Sequence, residues 1–169
     1  GALVPAEIKK IYKDMKMPVF VKPPDGSAGQ GARRIDTFRE FEAALKERPD
    51  LMVEEVVDGP EYTVDVICDF SGHAVEAVPR LRLKVRGGEV SRGVIEMRKD
   101  LIELSKRLAE GFGAHGPVTL QFRSPSPGVY VAMEMNARMG GGLPLSVAAG
   151  ADWPGMILDL AAGGKINDP

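Results

Sequence analysis

Apolar positions in this chain recur in two rhythms, one of three to four residues and one of two, and the rhythm changes along the sequence. Ile8, Ile11, Tyr12 and Met15 follow the spacing of one helix face, with Pro5 suited to the first turn. Residues 18–22 are a short β-rich run, and residues 23–31, Pro-Pro-Asp-Gly-Ser-Ala-Gly-Gln-Gly, predict a loop. Thr37 and Glu40 have capping-box spacing, and Phe38, Phe41 and Leu45 then mark a helix that stops before Pro49. Residues 51–57 read as a strand, broken by Asp58-Gly59-Pro60.

Strict alternation takes over after that break. Tyr62, Val64, Val66, Cys68 and Phe70 predict a strand with one buried face, turned by Ser71-Gly72. Residues 74–78 and 80–86 extend the sheet, and Gly87-Gly88 turns it again. Leu101, Leu104 and Leu108 mark a helix, with Asp100 as its N-cap and Gly111 near its end. Strands follow at 117–123 and 129–136 around a hairpin loop at 124–128, and residues 143–163 read as short helices interrupted by glycine. The mixture predicts an α+β chain of two small lobes, 1–57 and 58–169, with the seam near 56–61 and neither repeats nor a low-complexity linker.

Composition narrows the function classes. A chain of 169 residues with 44% hydrophobic content can bury a useful core. Its 22 basic and 24 acidic residues give a formal charge of -2, which carries no footprint for wholesale nucleic-acid binding. No apolar run approaches the roughly 18 residues that a membrane span needs. The lone Cys68 cannot form an internal disulfide and no zinc spacing exists, so a reducing cytoplasm is expected. The opening Gly1-Ala2 suggests a processed or trimmed chain, and no signal-peptide pattern is visible.

Three constellations carry candidate chemistry. In the strand 117–123, Val118, Leu120 and Phe122 share one face and Thr119, Gln121 and Arg123 the other. In the strand 129–136, parity groups Val129, Val131, Met133 and Met135 against Tyr130, Ala132, Glu134 and Asn136. If the apolar faces bury, Gln121, Glu134 and Asn136 converge as oxygen donors suited to Mg²⁺; the same parity also describes a polar face turned to solvent. Lys22 ends a strand beside a loop whose Gly26, Ser27, Gly29 and Gly31 would let backbone amides approach a polyphosphate, although a plain flexible turn has the same composition. Arg80, Arg82, Lys84 and Arg86 alternate with Leu81, Leu83 and Val85, and four cations on one strand face call for an anion, carboxylates or open solvent. Arg138, followed by Gly140-Gly141-Gly142, offers a guanidinium for phosphate on a mobile backbone, or a surface arginine on a plain loop. His73 and His115 have no evident partner and read as surface residues.

In this order the pieces resemble the ATP-grasp superfamily over nearly the whole chain, and within it the ATP-binding domains of carbamoyl-phosphate-synthase-large-subunit-like proteins. Val19-Phe20-Val21-Lys22-Pro23 looks like the strand whose lysine contacts ATP phosphates, and Gly26 to Gly31 like the lid over them. Val53-Glu54-Glu55-Val56-Val57-Asp58-Gly59-Pro60-Glu61 is similar to the family's hinge. The resemblance implies that Glu54 and the backbone at Glu55 and Val57 meet adenine and that Glu61 holds the ribose hydroxyls. Glu134-Met135-Asn136-Ala137-Arg138 matches the family's E-x-N-x-R pattern, which with Gln121 implies metal ligands at Gln121, Glu134 and Asn136 and a phosphate contact at Arg138. The resemblance also implies that Lys84 or Arg86 takes the family's basic phosphate-binding role.

The resemblance implies an ATP-grasp fold of two α+β subdomains with mainly antiparallel sheets and the nucleotide in the cleft between them. It implies ATP and Mg²⁺ as cofactors, with Mn²⁺ as an alternative, and a carbon–nitrogen ligase joining a small-molecule carboxylate to an amine through an acyl phosphate. The family has a domain preceding this part, so the expectation is an excised piece, or a reduced protein whose partner subunit supplies the rest; alone it can be inactive. A non-catalytic nucleotide-binding module and a small-molecule kinase on the same fold are the alternatives.

Overall fold

The structure, a computed structural model, describes residues 15–25, 30–86, 89–163 and 166. The helix expected from Ile8, Ile11 and Tyr12 and the turn at Gly87-Gly88 lie outside the described residues, as do Gly26, Ser27 and Gly29 of the glycine loop. The chain divides into two compact units, Gly1–Val56 and Val57–Pro169.

In the first unit, strand β1 (Val19–Lys22) pairs antiparallel with β2 (Arg33–Ile35) on one side and β3 (Met52–Glu55) on the other. Helix α1 (Phe38–Glu47) starts at the expected capping box: Glu40 N donates to Thr37 Oγ1 at 3.3 Å, and Thr37 N donates to Glu40 Oε2 at 3.1 Å. Its apolar stripe buries Phe41, Ala44 and Leu45 against Val19, Val21 and Ile35. Strand β2 was not anticipated, because three residues with a single buried one, Ile35, are too short to display alternation.

Among the described residues of the second unit, five antiparallel strands run in the order β6-β5-β4-β7-β8. They are β4 (Glu61–Cys68), β5 (Ala74–Arg86), β6 (Glu89–Ile95), β7 (Gly116–Ser126) and β8 (Val129–Asn136). Helix α2 (Lys99–Gly111) covers one face, packing Leu101 and Ala109 on Val64, Val66, Val118, Leu120 and Phe122. Helices α3 (Leu143–Ala148) and α4 (Trp153–Ala161) serve the other face, where Trp153 and Leu160 pack on Ile67 and Val75.

Four expectations are corrected here. Strand β4 has two buried faces rather than one: Thr63, Asp65 and Ile67 are as enclosed as Val64 and Val66, because the C-terminal helices cover the second face. Residues 74–78 and 80–86 form one continuous strand through Pro79. The Pro79 carbonyl accepts from Glu96 N at 3.2 Å, but proline has no N–H to return the bond, and β6, which was also unforeseen, ends at Ile95. Asp100 is not the N-cap of α2; that position is Arg98, and Asp100 sits in the first turn, accepting from its neighbour Leu101 N and from Tyr130 Oη.

The fourth concerns β8. Gln121 pairs with Glu134, but Phe122 pairs with Ala132 and Arg123 with Val131, leaving Met133 as an extra residue in a β-bulge. Side-chain parity flips across it. Tyr130 therefore does not share a face with Glu134: its ring packs edge-on against Phe122 and Tyr62 in the α2-side core, at centroid separations of 6.4 Å and 6.0 Å. At the entry to β4, Gly59 has φ of +108°, and a Cβ there would lie 2.1 Å from the Ser124 carbonyl oxygen, so only glycine fits.

Candidate functional site

In the first unit, Lys22 closes β1 on the sheet face opposite the core residues Val19 and Val21. Its ammonium lies 2.6 Å from Glu54 Oε1 on β3, with both side chains partly exposed. Alternation and register together produce this contact: Phe20 pairs with Glu54 and Lys22 with Met52, so Lys22 and Glu54 are diagonal neighbours on one face. Glu55 is exposed at the end of β3. Gly31 is the described end of the glycine loop, with φ of +72°.

In the second unit the polar side chains sit on the face of the sheet that also bears Asp65 and Ile67. Glu61 opens β4 and receives two guanidinium groups: Arg82 Nη1 binds its Oε1, and Arg123 Nη2 donates to Oε2 at 3.1 Å. Arg82 Nη1 also donates to Gln121 Oε1 at 3.1 Å. Gln121 faces Glu134 directly across β7 and β8, Thr119 faces Asn136, and Asn136 Nδ2 donates to Glu134 Oε1 at 2.6 Å. Arg138 is exposed just beyond β8; its Nη1 donates to the Met139 carbonyl at 3.1 Å, and its own carbonyl accepts from Thr119 Oγ1 at 2.9 Å. Val57 is half-buried at the start of this unit.

The row of cations on β5 is resolved into two kinds. Arg80 is buried against Asp65 and Arg82 is partly buried against Glu61, so carboxylates answer these two charges. Lys84 is exposed, and Arg86 ends the strand. The pairing of β5 with β6 shifts on both sides of Lys84, and Leu83 and Val85 are exposed at 56% and 45% rather than forming an apolar face. Next to this stretch a cavity of about 330 Å³ is lined by Arg80, Arg82, Arg92, Gly141, Gly142 and Leu145.

Among the described residues no three His, Cys, Asp or Glu side chains come together as a metal site. The donor set at the β7–β8 pair is therefore one carboxylate, Glu134, with the carboxamide oxygens of Gln121 and Asn136. All three are hard oxygen donors on one face, the kind Mg²⁺ takes, and three such ligands would leave half of a six-coordinate shell to phosphate and water.

The sequence reading missed Asp65, Thr119 and Ser146. Asp65 Oδ1 accepts from Arg80 Nη2 at 2.9 Å and Oδ2 from Ser146 Oγ at 2.8 Å, and Ser146 is fully enclosed. Burial pushes the Asp65 carboxyl above its usual range, against the opposing pull of Arg80, Ser146 and Thr119. The available signal was Ile67, an apolar residue at the parity of Asp65. Both histidines are exposed, as expected, but each has a partner: His73 Nδ1 lies 3.0 Å from Glu110 Oε1, and His115 Nδ1 lies 3.4 Å from the Asp69 carbonyl.

Cys68 is fully buried, and burial, helped by Glu110 and Asp69, raises its thiol to about 11. At pH 8 roughly one part in a thousand is thiolate, so iodoacetamide should label the folded chain about 100-fold more slowly than the chain in denaturant. Mass spectrometry of timed labelling checks this; equal rates would contradict the enclosed position.

Residues 47–169 match the family described as "ATP-grasp in the biosynthetic pathway with Ter operon". The carbamoyl phosphate synthase large chain of Agathobacter rectalis is 28% identical over 171 residues, covering 92% of this chain and 16% of that protein. The biotin carboxylase of Campylobacter jejuni, solved as a β-γ-ATP complex, has a TM-score of 0.77 at 24% identity, covering 99% of this chain and 42% of that one. The biotin carboxylase domain of Hydrogenobacter thermophilus 2-oxoglutarate carboxylase, solved with MgADP and bicarbonate, has a TM-score of 0.73 at 23% identity, covering 98% and 41%. The chain thus spans less than half the length of each, and the likeness to the solved structures shows the α+β ATP-grasp fold. Among the described residues no helix is long and apolar enough to cross a membrane.

Proposed function

Since the chain belongs to the ATP-grasp family, we propose that it is the Mg-ATP-binding part of an ATP-dependent ligase that joins a carboxylate to an amine. The observation that carries the reading is the set Gln121, Glu134 and Asn136 on one face of β7 and β8, with Arg138 two residues beyond. In this reading Glu134, Asn136 and Gln121 hold Mg²⁺, with Mn²⁺ as an alternative. Lys22 and Arg138 meet phosphate oxygens, and Lys84 or Arg86 adds a further positive charge. Glu54 with the backbone at Glu55 and Val57 takes adenine. Glu61 takes the ribose hydroxyls beside its two arginines, since a carboxylate accepts about four hydrogen bonds. Gly26, Ser27, Gly29 and Gly31 close over the phosphates.

The bound metal supplies neutralisation of charge on the transferring phosphoryl group. The chain's own residues orient the reactants and exclude water, and no covalent nucleophile from the protein is needed. A carboxylate oxygen of the acceptor attacks the γ-phosphorus and ADP leaves. The amine then displaces phosphate from the acyl phosphate. The cavity suits the acceptor carboxylate through Arg92, which lines it from an exposed position, because a guanidinium group matches carboxylate geometry. A preceding domain or partner subunit completes the acceptor site.

Calorimetric titration of ATP with and without Mg²⁺ tests this on the full chain and on Glu134→Ala. Binding is expected to need Mg²⁺ and to weaken roughly 10- to 100-fold in the variant, or about 1.4–2.7 kcal/mol. Equal affinity in the variant and the parent would remove Glu134 from the site.

A further inference from the structure

We infer that the buried pair Asp65–Arg80, together with Ser146 and Thr119, is a clamp that sets the backbone of residues 138–146 and makes Arg80 a positioning residue for Arg138. The inference deepens the function proposed above and rests on its reading of Arg138 as a phosphate contact.

Arg138 has little of its own to hold it. It is exposed, and its guanidinium bonds the carbonyl of the next residue, Met139. The backbone around it is bracketed instead. At one end Thr119 Oγ1 donates to the Arg138 carbonyl at 2.9 Å; at the other, Ser146 Oγ donates to Asp65 Oδ2 at 2.8 Å. Between these anchors the chain lies directly on the ion pair. A Cβ added at Gly140 would sit 3.1 Å from Thr119 Oγ1 and 3.2 Å from Asp65 Oδ1, and one added at Gly142 would sit 1.5 Å from Arg80 Nη1. Two turn hydrogen bonds, Leu143 N to the Gly140 carbonyl and Leu145 N to the Gly142 carbonyl, both 3.0 Å, carry the segment into α3.

Apolar side chains of similar volume would fill this space at least as stably, since burying an ion pair costs desolvation on both partners. They could not hold Ser146 by a hydrogen bond while giving the passing glycines a flat guanidinium to rest on. Two glycines at contact distance from one buried network, with hydrogen bonds from that network at both ends of the segment, are features of a seat shaped for a backbone. The residue that this seat delivers is Arg138.

Hydrogen exchange followed by mass spectrometry, on the full chain, on Ser146→Ala and on Ser146→Thr, tests the clamp. Titrations of Mg-ATP and of adenosine accompany it. In Ser146→Ala, exchange over residues 139–145 should rise about tenfold or more while α2 keeps its protection. Mg-ATP affinity should fall about tenfold with adenosine affinity unchanged, because adenosine has no phosphate for Arg138 to meet. Ser146→Thr, which keeps the hydroxyl, should restore both readouts. Unchanged exchange at 139–145, or a rise spread evenly through the unit, overturns the clamp. Equal losses of Mg-ATP and adenosine overturn its action through Arg138. If the parent chain binds no Mg-ATP, the proposed function fails, while the exchange arm still decides the clamp.

Discussion

Asp65→Ala is expected to lower the stability of the second unit by about 3–5 kcal/mol, because it takes from the buried Arg80 guanidinium the carboxylate that answers its charge among the described residues. Both side chains are 2% exposed and 2.9 Å apart. In water this pair would contribute little; here removing one partner leaves the full desolvation cost of the other. The double variant Asp65→Ala/Arg80→Met removes both charges and keeps apolar volume, and should recover most of the loss. Urea unfolding with constant m-values measures both. A single-variant loss under about 1 kcal/mol would mean that Arg80 finds water or another anion. The pH dependence follows from the raised carboxyl. Relative to the unfolded chain, the folded state favours the protonated acid. That contribution is fully present below the ordinary value of 3.8 and is lost as pH rises through the higher folded value. Asp65 is therefore not a group whose protonation drives acid unfolding.

Phe41→Ala is expected to cost about 3–5 kcal/mol as well, and its consequence is larger in proportion. The buried core of the first unit, among its described residues, is Val19, Val21, Ile35, Phe41, Ala44 and Leu45. Phe41 is the largest of these and is wholly enclosed. Whole domains are stable by roughly 5–15 kcal/mol, and small ones lie at the bottom of that range. The variant should therefore leave the first unit largely unfolded at 37 °C. Amides of β1 should lose protection from hydrogen exchange while those of β4 keep theirs. Lys22 ends β1 and has its partner Glu54 on β3, so its placement would go with the core. Retained protection of β1 would show that α1 can close over the gap.

Much of the fold was legible because local and long-range signals agree. The capping box at Thr37 and Glu40 and the stripe of Phe41 and Leu45 are each satisfied by the same packing that buries them, and the alternation from Tyr62 found strand β4, although the strand ends at Cys68 and leaves Phe70 exposed. Where sequence reasoning failed, the deciding contact is remote in the chain. The second buried face of β4 is covered at Ile67 by Trp153 and Leu160, roughly 85 to 95 positions away, and no window around Asp65 contains them. The runs 74–78 and 80–86 join through Pro79 because β6 ends beside it at Ile95, and that strand end is not visible in the sequence around residue 79. For the candidate site, parity placed Gln121, Glu134 and Asn136 on outward-facing positions, but their meeting depends on register, which the hairpin turn and the bulge decide together. The arginines of β5 were visible as charges; that Arg80 and Arg82 are answered by Asp65 and Glu61 follows only from β4 lying alongside.

The bulge at Met133 has a bearing on how related sequences are lined up. Tyr130 and Glu134 stand an even number of residues apart and yet serve opposite faces, which uninterrupted alternation forbids. A chain that lacked the extra residue would have to lose either the aromatic in the core or the carboxylate on the site face. Counting from the core aromatic to the acidic residue of an E-x-N-x-R segment therefore reports whether a relative keeps the bulge. A gap introduced there to restore tidy alternation would erase the one insertion that lets both ends of the strand do their work.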